Sequence, residues 1–485
     1  MKYSIHILNT GVTLEAAEGE TLLAFLQNQG LSPEAPCGGH GTCGKCRCEV
    51  NGAEVLSCRT VIDRDMTVSL PETHKTRILT EGLQVESQAD GSHDYVLAFD
   101  IGTTTVVAYL LSGITGQLLA QASTVNPQSR FGADVIARIQ YAMASEGYPL
   151  KDAILEALRK LTCQTAEKAG IRPEDITLAC MVGNTAMHHL LLGIDPKPLT
   201  VPPYMPAQRE ALILDGEGIL PIRGKIRILP NIAGFVGADT VGCMVATRFD
   251  QMEELTLMID IGTNGEMVLG DKHRRIACST AAGPAFEGAK IQCGMRGADG
   301  AVDHVKLEKG ELSFTVIGGG EAKGLCGSGL LDLVAVLLAQ GDIDESGRME
   351  EQIFTLPGTE VYLTQKDVRE VQLAKAAIRA GIELMCRKLG VQPQDIRQVL
   401  LAGAFGNYLD PASACAIGMI PPCLEDRIHP IGNAAGEGAK LCAQCEKEFV
   451  YSQTLAEHTE FLELASMPEF NDCYVDCLAF EEEDE

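Results

Sequence analysis

The sequence contains no tryptophan, and only 5% of its 485 residues are aromatic. Basic residues are also few, because 39 Lys and Arg stand against 66 Asp and Glu and leave a formal net charge of −27. Aromatic stacking surfaces and a basic, phosphate-facing surface are the two features on which nucleic-acid binding depends. The composition therefore argues against a nucleic-acid partner.

Long apolar runs are missing as well. The sequence has no 18 consecutive apolar residues, so we expect no membrane-spanning helix. Residues 1–20 lack the apolar core and small-residue cleavage site of a signal peptide, and we expect a cytoplasmic protein. Disulfides rarely persist in that compartment, so the 18 cysteines are interpreted as buried thiols, redox groups or metal ligands.

Five cysteines lie close together in residues 37–58, and four of them have the spacing C-x5-C-x2-C-x11-C. Four glycines in the same loop allow it to curl around an inorganic core with its amides directed at sulfur. Plant-type [2Fe–2S] ferredoxins have a similar spacing, C-x4-C-x2-C with a distant fourth cysteine. We therefore predict a [2Fe–2S] cluster, with a zinc site or unligated thiols as alternatives. The predicted ligands are Cys37, Cys43, Cys46 and Cys58.

The residues around this loop alternate between apolar and polar in short stretches. They predict a β-hairpin, an amphipathic helix, the loop and a second hairpin, which is the order of a β-grasp ferredoxin domain over residues 1–70. Cys48 lies two residues after Cys46 on a predicted strand, and we expect it not to bind the cluster. Residues 71–94 are polar with Pro and Gly, and predict a mobile linker with one short ordered piece around residues 78–83.

A tetrapeptide, Asp-Ile-Gly-Thr, occurs twice, beginning at Asp100 and at Asp260. Each copy ends an apolar strand and begins another, so two facing halves of one fold would direct two turns at one cleft. Turn amides and Thr hydroxyls suit phosphate oxygens, and the two carboxylates suit Mg²⁺. The alternative is two ordinary hairpins with capping Asp residues, but a carboxylate after so apolar a strand is costly without a partner.

Further glycine-rich joints follow, at Gly283, Gly327 and 402–406. Together with the paired Asp-Ile-Gly-Thr turns, they resemble the phosphate-1, phosphate-2, connecting and adenosine motifs of the acetate kinase/sugar kinase/Hsc70/actin superfamily. Joined to an N-terminal [2Fe–2S] domain, the chain as a whole resembles the reductive activators of corrinoid proteins.

The resemblance implies a β-grasp ferredoxin domain followed by a bilobal actin-like (RNase H-like) ATPase over residues 95–485. The first lobe would cover about 95–254 and the second about 255–400, with the C-terminal segment completing the fold. Longer family members carry a middle domain between cluster domain and ATPase, and the short linker is expected to leave no room for one.

The resemblance also implies an activity and partners. The protein would use ATP to drive an electron from its cluster onto a corrinoid protein of a methyltransferase system, reducing Co(II) to Co(I). An upstream low-potential donor would reduce the cluster, and a homodimer is expected from the family. A redox-sensing small-molecule kinase is the alternative, and intact Asp100 and Asp260 argue against a third interpretation, a scaffold with an inactive nucleotide fold.

By the same resemblance, Asp100 and Asp260 serve catalysis through Mg²⁺, and Glu266 is a candidate for positioning water. An outward-facing strand residue is the alternative interpretation of Glu266. The expected nucleotide-binding residues are Gly102, Thr103, Thr104, Gly262, Thr263, Asn264, Gly283, Gly327, Gly403, Ala404 and Gly406.

Two cysteine pairs near the C-terminus, Cys442/Cys445 and Cys473/Cys477, have a spacing that zinc also uses. Residues 438–447 predict a helix on which Cys442 and Cys445 share one face, so we interpret these thiols as packing groups.

A cluster held by four thiolates makes a direct spectroscopic prediction. The reduced protein is expected to show the electron paramagnetic resonance signal of a reduced [2Fe–2S] centre, and Cys43→Ser is expected to lose it because one ligand is removed. Metal analysis that finds zinc alone would contradict the assignment.

Overall fold

The structure is a computed structural model of the chain. It describes residues 2–29, 31, 33, 35, 39, 41, 44–71, 79–80, 82–83, 85, 89–262 and 264–480, with Ala404 described by its backbone. Three residues predicted to bind cofactors, Cys37, Cys43 and Thr263, lie outside these ranges.

The N-terminal region forms a five-stranded sheet with one helix packed on it. The strand order is β2-β1-β5-β3-β4, with β1 and β5 parallel. The helix begins after Thr21, whose side chain accepts the amide of Ala24, and it buries Leu22, Phe25 and Leu26 against the sheet. This is the predicted β-grasp arrangement. Its elements are β1 (Lys2–Ile7), β2 (Val12–Ala17), α1 (Leu22–Asn28), β3 (Arg47–Val50), β4 (Ala53–Leu56) and β5 (Met66–Ser69).

The next region is built on a six-stranded sheet with the order β10-β11-β9-β6-β7-β8. Three antiparallel strands come first, and β9 and β11 are then added in parallel on the other side of β6. The elements are β6 (Tyr95–Ile101), β7 (Thr105–Ser112), β8 (Leu118–Val125), α2 (Val135–Ala144), α3 (Pro149–Ala169), β9 (Ile176–Gly183), α4 (Thr185–Leu192), β10 (Leu212–Asp215), β11 (Lys225–Ile228) and α5 (Ala238–Thr247).

The rest of the chain forms a second six-stranded sheet, β21-β20-β12-β13-β14-β22, with two small sheets, β16-β15-β17 and β18-β19. The elements are β12 (Thr256–Ile261), β13 (Gly265–Gly270), β14 (Arg275–Thr280), β15 (Ala301–Glu308), β16 (Glu311–Val316), β17 (Gly324–Leu325), α6 (Gly327–Gln340), β18 (Ile353–Thr355), β19 (Tyr362–Thr364), α7 (Gln365–Leu389), β20 (Gln398–Ala402), α8 (Gly403–Tyr408), α9 (Pro411–Ala416), β21 (Ile428–Gly432), α10 (Ala434–Gln444), α11 (Glu446–Glu457), β22 (Glu460–Phe461) and α12 (Phe470–Asp476).

The two large sheets have the same internal plan. The first follows β6-β7-β8, α3, β9, α4, β11 and α5, and the second repeats this order as β12-β13-β14, α7, β20, α8, β21 and α10. Both copies join three antiparallel strands to two parallel ones. This repeat confirms the predicted bilobal architecture, and it places β6 and β12 at equivalent central positions.

Helices α5 and α10 join the two lobes. They belong to one apolar core that also takes side chains from both large sheets, among them Val96 and Met258. The helices cross where both carry glycine, because a Cβ on Gly438 would lie 2.0 Å from the carbonyl oxygen of Gly242. The lobes therefore meet through backbone contact. Within the described part of the chain, no helix has the length and apolarity to cross a membrane.

The described part of the predicted linker lies against the ATPase region. The hydroxyl of Tyr109 donates to the carbonyl of Thr80 at 2.9 Å, and Gly82 forms an antiparallel bridge with Gly432. Leu83 and Val85 pack on the core between the lobes. Although residues 71–94 were expected to form a mobile linker, the described ones are anchored by hydrogen bonds and apolar contacts.

The helix crossing makes a stability prediction. Gly438→Ala is expected to lower the free energy of unfolding by about 1–3 kcal/mol, because its methyl group would force the helices apart. Gly242→Ala is the graded comparison, since its Cβ would lie 2.9 Å from the carbonyl oxygen of Ala435 and needs a smaller shift. Thermal unfolding of both variants checks the order, and equal stability of Gly438→Ala and wild type would contradict the close approach.

Candidate nucleotide and cluster sites

Asp100 and Asp260 occupy equivalent places in the two lobes. Each is the second-last residue of its strand, β6 or β12, and each is partly exposed although its neighbours along the strand are buried. The strands therefore carry both carboxylates to one edge, as the repeated tetrapeptide predicted.

Two further carboxylates join them. Asp239, at the start of α5, interacts electrostatically with Asp260 and Asp100, and Glu266, on β13 directly opposite Asp260 in the strand pairing, interacts with Asp239 and Asp260. We call Asp100, Asp239, Asp260 and Glu266 the carboxylate cluster. It draws two members from each lobe, so it lies where the lobes face each other.

Burial and mutual repulsion raise the proton affinity of this cluster. Desolvation raises the pKa of Asp100 to about 6, partly offset by a hydrogen bond from Asn433. Desolvation and the charge of Asp100 raise the pKa of Asp260 to about 7. The pKa values of Asp239 and Glu266 are also raised, first by desolvation and then by neighbouring carboxylates. Four oxygen-bearing acids that resist ionisation together suit a hard divalent cation such as Mg²⁺.

Asn433 connects the carboxylate cluster to the crossing of α5 and α10. Its side-chain amide donates to Asp100 Oδ2 at 2.8 Å and to the Tyr109 hydroxyl at 3.2 Å, while its oxygen caps α10 by accepting the amide of Gly436. A residue of the C-terminal segment thus orients the first-lobe carboxylate.

The turn after β6 is held from several sides. The Arg138 guanidinium donates to the Thr103 carbonyl at 2.6 Å, and the Asn184 amide donates to the Thr103 hydroxyl at 2.9 Å. The Thr104 hydroxyl donates to Glu287 Oε1, across the lobes, at 3.1 Å. The amide of Gly102 donates to Thr105, which closes the turn. The turn is therefore fixed before any ligand binds.

The corresponding turn after β12 closes similarly, because the amide of Gly262 donates to the carbonyl of Asn264 at 2.9 Å. Asn264 also hydrogen-bonds Glu266. Glu266 is thus held within the carboxylate cluster, and its role in positioning water stays a prediction.

Four of the glycines predicted to bind nucleotide lie outside the two turns. Gly403 adjoins the cluster, since a Cβ there would lie 2.5 Å from Asp260 Oδ1, and its φ of +83° also favours glycine. Gly406 packs on Leu401, and Gly327 lies under the ring of Phe405. Gly283, with φ +78°, precedes the short helix Pro284–Glu287 that presents Glu287 to Thr104.

Two of the four predicted cluster ligands, Cys46 and Cys58, are described, and they lie near each other in the ferredoxin domain. The hairpin β3–β4 returns the chain so that both the amide and the hydroxyl of Ser57 donate to the carbonyl of Cys46, which places Cys58 next to Cys46. Gly39 of the loop lies over Cys58, with a Cβ position 3.9 Å from its Cβ. The position of Gly39 beside Cys58 fits a loop that closes on a [2Fe–2S] group.

The cysteines that were predicted not to bind a metal lie in different parts of the structure. Cys48 is buried in the ferredoxin core, and burial raises the pKa of its thiol to about 11. Cys442 lies in the core between the lobes, whereas Cys473 lies in the core of the second lobe. The helix predicted over 438–447 is wrong, because Cys445 has extended backbone and separates α10 from α11.

Sequence reasoning missed Asp239 and Asn433. Asp239 is the second residue of α5 and Asn433 is the N-cap of α10, and acidic and amide residues are common at such positions. Only the equivalence of α5 and α10 in the repeat brings them to the carboxylate cluster.

Comparison with known proteins gives matches along most of the chain. Residues 5–70 match the 2Fe-2S iron-sulfur cluster binding domain, residues 95–252 the RACo middle region, and residues 254–485 the C-terminal domain of RACo, the ASKHA domain. A solved reductive activator for corrinoid, iron-sulfur protein superposes with a TM-score of 0.74 at 27% identity, over 99% of this chain and 98% of that one.

Two curated relatives agree. The corrinoid activation enzyme RamQ of Eubacterium limosum is 38% identical over 415 residues, covering 79% of this chain and 69% of the relative. The Co(II) methylated amine-specific corrinoid protein reductase of Methanosarcina barkeri is 27% identical over 362 residues, covering 67% and 66%.

Fold and site together define an iron–sulfur protein with a [2Fe–2S] ferredoxin domain and a nucleotide-binding ASKHA domain. The chain belongs to the RACo family, the reductive activators of corrinoid proteins. The expectation that it lacks a middle region is wrong, because residues 95–252, predicted as the first lobe, match that region of the family.

The raised pKa values predict a pH dependence of stability. Between about pH 4 and pH 7 the folded chain holds more protons on Asp100 and Asp260 than the unfolded chain does, so their contribution to stability falls as pH rises through this window. We expect Mg²⁺ with ADP to raise the unfolding temperature by more at pH 8 than at pH 5.5, since the cation binds the ionised carboxylates.

Asp239→Asn removes one of the repelling charges. It is expected to make the ligand-free protein more stable than wild type at both pH values, and by about 1–2 kcal/mol more at pH 8 than at pH 5.5, because the raised pKa keeps Asp239 protonated in the folded wild type at the lower pH. Calorimetry at both pH values measures this, with Asp215→Asn, an exposed acid of the same lobe, as control. Equal effects of the two substitutions at pH 8 would show that the carboxylates do not repel each other.

Proposed function

We propose that this protein uses ATP to drive a low-potential electron onto a corrinoid protein of a methyltransferase system, returning its cobalt from Co(II) to Co(I). The observation that carries the proposal is the joining of a ferredoxin domain to two phosphate turns that converge on one carboxylate cluster. The names of the relatives, a corrinoid activation enzyme and a corrinoid protein reductase, support the substrate class.

We assign the steps to three parts of the chain. Residues 1–70 form the ferredoxin domain, 71–94 the linker, and 95–485 the ATPase with lobes dividing near residue 254. When bound by its four thiolates, the [2Fe–2S] group supplies one electron at a time. The ligands are Cys37, Cys43, Cys46 and Cys58.

In the ATPase, Asp100 and Asp260 would hold Mg²⁺. The amides and hydroxyls of the two turns would bind phosphate oxygens, and residues of α8 together with Gly327 would bind the nucleoside. The residues assigned to nucleotide binding are Gly102, Thr103, Thr104, Gly262, Thr263, Asn264, Gly283, Gly327, Gly403, Ala404 and Gly406.

Asp239 orients the water that attacks the terminal phosphate. Its Oδ1 accepts the amide of Thr240 at 2.8 Å, so the carboxylate is fixed at the start of α5 beside Asp260. Glu266 is held by Asn264 and completes the acidic wall near that water. Asp100, already bonded to Asn433, serves the cation.

Coupling requires that nucleotide state change the affinity of one conformation over another. The reaction would convert ATP and water to ADP and phosphate and reduce Co(II) to Co(I) by one electron, which the bound [2Fe–2S] group would supply. An upstream low-potential donor would return that electron to the protein, and a homodimer remains an expectation from the family. The redox-sensing kinase is less supported, since the two curated relatives are named for corrinoid activation and reduction.

An anaerobic assay tests the proposal. Reduced protein mixed with a Co(II) corrinoid protein and MgATP is expected to lose the Co(II) absorbance, whereas omission of ATP is expected to slow this strongly. Asp239→Asn is expected to lower ATP hydrolysis and ATP-dependent reduction about 100-fold or more, while MgADP still binds by calorimetry.

Asp215→Asn, which changes an exposed Asp of the same lobe, should behave as wild type. Reduction that proceeds equally well without ATP would refute coupling. Wild-type hydrolysis by Asp239→Asn would refute only the role given to Asp239.

A further inference from the structure

Lys45 joins the ferredoxin domain to the second lobe. It lies directly before the cluster ligand Cys46, and its ammonium donates to the carbonyls of Ile291 at 2.9 Å, Gln292 at 3.2 Å and Gly294 at 3.0 Å. Three carbonyls match the three N–H donors of an ammonium group. The lysine therefore holds the cluster loop against one specific stretch of the ATPase.

A second contact joins the same domain to the first lobe. Gln27, on α1, donates from Nε2 to the carbonyl of Arg130 at 2.6 Å. The ferredoxin domain thus touches both lobes, on either side of the boundary where the carboxylate cluster lies. A change in the angle between the lobes cannot preserve both contacts unless the domain also moves.

Each contact lies a few residues along the chain from a group that is hydrogen-bonded, directly or through Arg138, to the first phosphate turn. Near Arg130, the carbonyl of Gly132 accepts from Arg138, and the same guanidinium donates to Thr103. On the other side, Glu287 accepts from Thr104 only four residues before Ile291.

The stretch between Glu287 and the carbonyls that bind Lys45 is tightly packed. A Cβ on Gly288 would lie 2.5 Å from the backbone of Met295, and one on Gly294 would lie 2.3 Å from the carbonyl of Gly288. The amide of Gln292 is bonded to Asp367 at the start of α7. Residues 284–295 therefore pack closely on themselves, with Glu287 at one end and the three carbonyls that bind Lys45 at the other.

We propose that the ferredoxin domain docks across the two lobes at a nucleotide-sensitive interface, and that Lys45 is the positioning residue that couples nucleotide binding to the place of the cluster. The inference rests on the proposed function in one respect, the assignment of Thr103 and Thr104 to phosphate. It deepens that function by naming how the ATPase acts on the electron-carrying domain.

The coupling follows from the chemistry of one hydroxyl. Thr104 has a single O–H donor, which Glu287 accepts in this structure, and a phosphate oxygen bound at the turn competes for it. The phosphate also repels the Glu287 carboxylate. Nucleotide binding therefore displaces Glu287, shifts residues 284–295 and weakens the hold on Lys45, so that the cluster loop is released toward the corrinoid partner.

The absence of tryptophan provides a clean reporter for this movement. Ile353 is 56% exposed and shares a surface cavity with Gln292, so Ile353→Trp places one fluorophore beside the docking site. The [2Fe–2S] group absorbs at the wavelength of tryptophan emission and quenches it when the domain is docked. The full-length, cluster-loaded protein is used, without corrinoid protein.

In this background, Lys45→Met is expected to lower the ratio of docked to undocked protein about tenfold or more, seen as a rise in fluorescence without nucleotide. MgADP is expected to raise the fluorescence of the reporter protein and to add little to that of Lys45→Met. Lys45→Arg should lie between them, because a planar guanidinium cannot place its donors on the same three carbonyls.

Lys2→Met is the matched control, since it removes one positive charge from an exposed site of the same domain. Gln27→Ala removes the other contact from outside the cluster loop and should also raise fluorescence, which keeps the test decisive if Lys45→Met binds less cluster. Visible absorbance verifies cluster content in each variant.

Fluorescence of Lys45→Met and Gln27→Ala equal to that of the reporter protein, or no response to MgADP that binds by calorimetry, would overturn the interface. Failure of corrinoid reduction with a normal fluorescence response would instead overturn the proposed function and leave the interface standing.

Discussion

The meeting of four carboxylates between two lobes is the constraint on which the rest of the structure depends. Asp100 and Asp239 come from one lobe, Asp260 and Glu266 from the other. Burial raises the pKa of all four, and neighbouring carboxylates raise the pKa of Asp239, Asp260 and Glu266 further. A divalent cation with ligands from both lobes would relieve this repulsion.

The scaffold that tolerates this repulsion is apolar and tightly packed. The crossing of α5 and α10 at Gly242 and Gly438 brings the helix backbones into contact, and side chains of both sheets share one core around them. Because Asp239 lies in the first turn of α5 and Asn433 caps α10, the packing that joins the lobes also places two groups of the site. Stability and charge placement are therefore properties of the same helix pair.

This arrangement explains what the sequence could and could not predict. Asp100 and Asp260 could be predicted from the sequence because each interrupts an apolar strand and begins a repeated tetrapeptide, which is a local pattern. Asp239 and Asn433 could not be predicted, because an acidic or amide residue at a helix start is common. Their place in the site follows from the structural repeat of the two lobes, which no repeated tetrapeptide marks at these positions. The β-grasp order followed from alternating hairpins, whereas the anchoring of the linker depends on Tyr109 and Gly432, which are remote in sequence. The break at Cys445 was missed because the surrounding residues favour helix on both sides.

Hydrogen bonds and apolar contacts join both the linker and the ferredoxin domain to the ATPase. A domain on a free tether would respond to nucleotide only through its partner, since no contact would distinguish the ATPase states. Here Thr80 is bonded to Tyr109, which shares Asn433 with Asp100, while Lys45 and Gln27 contact opposite lobes. The Thr80 contact leads through Tyr109 and Asn433 to Asp100, and the Lys45 and Gln27 contacts lie a few residues from groups that are bonded toward Thr104 and Thr103. In the proposed coupling, these contacts differ between nucleotide states and so bias the position of the ferredoxin domain. The domain would then respond to the ATPase before any corrinoid protein binds.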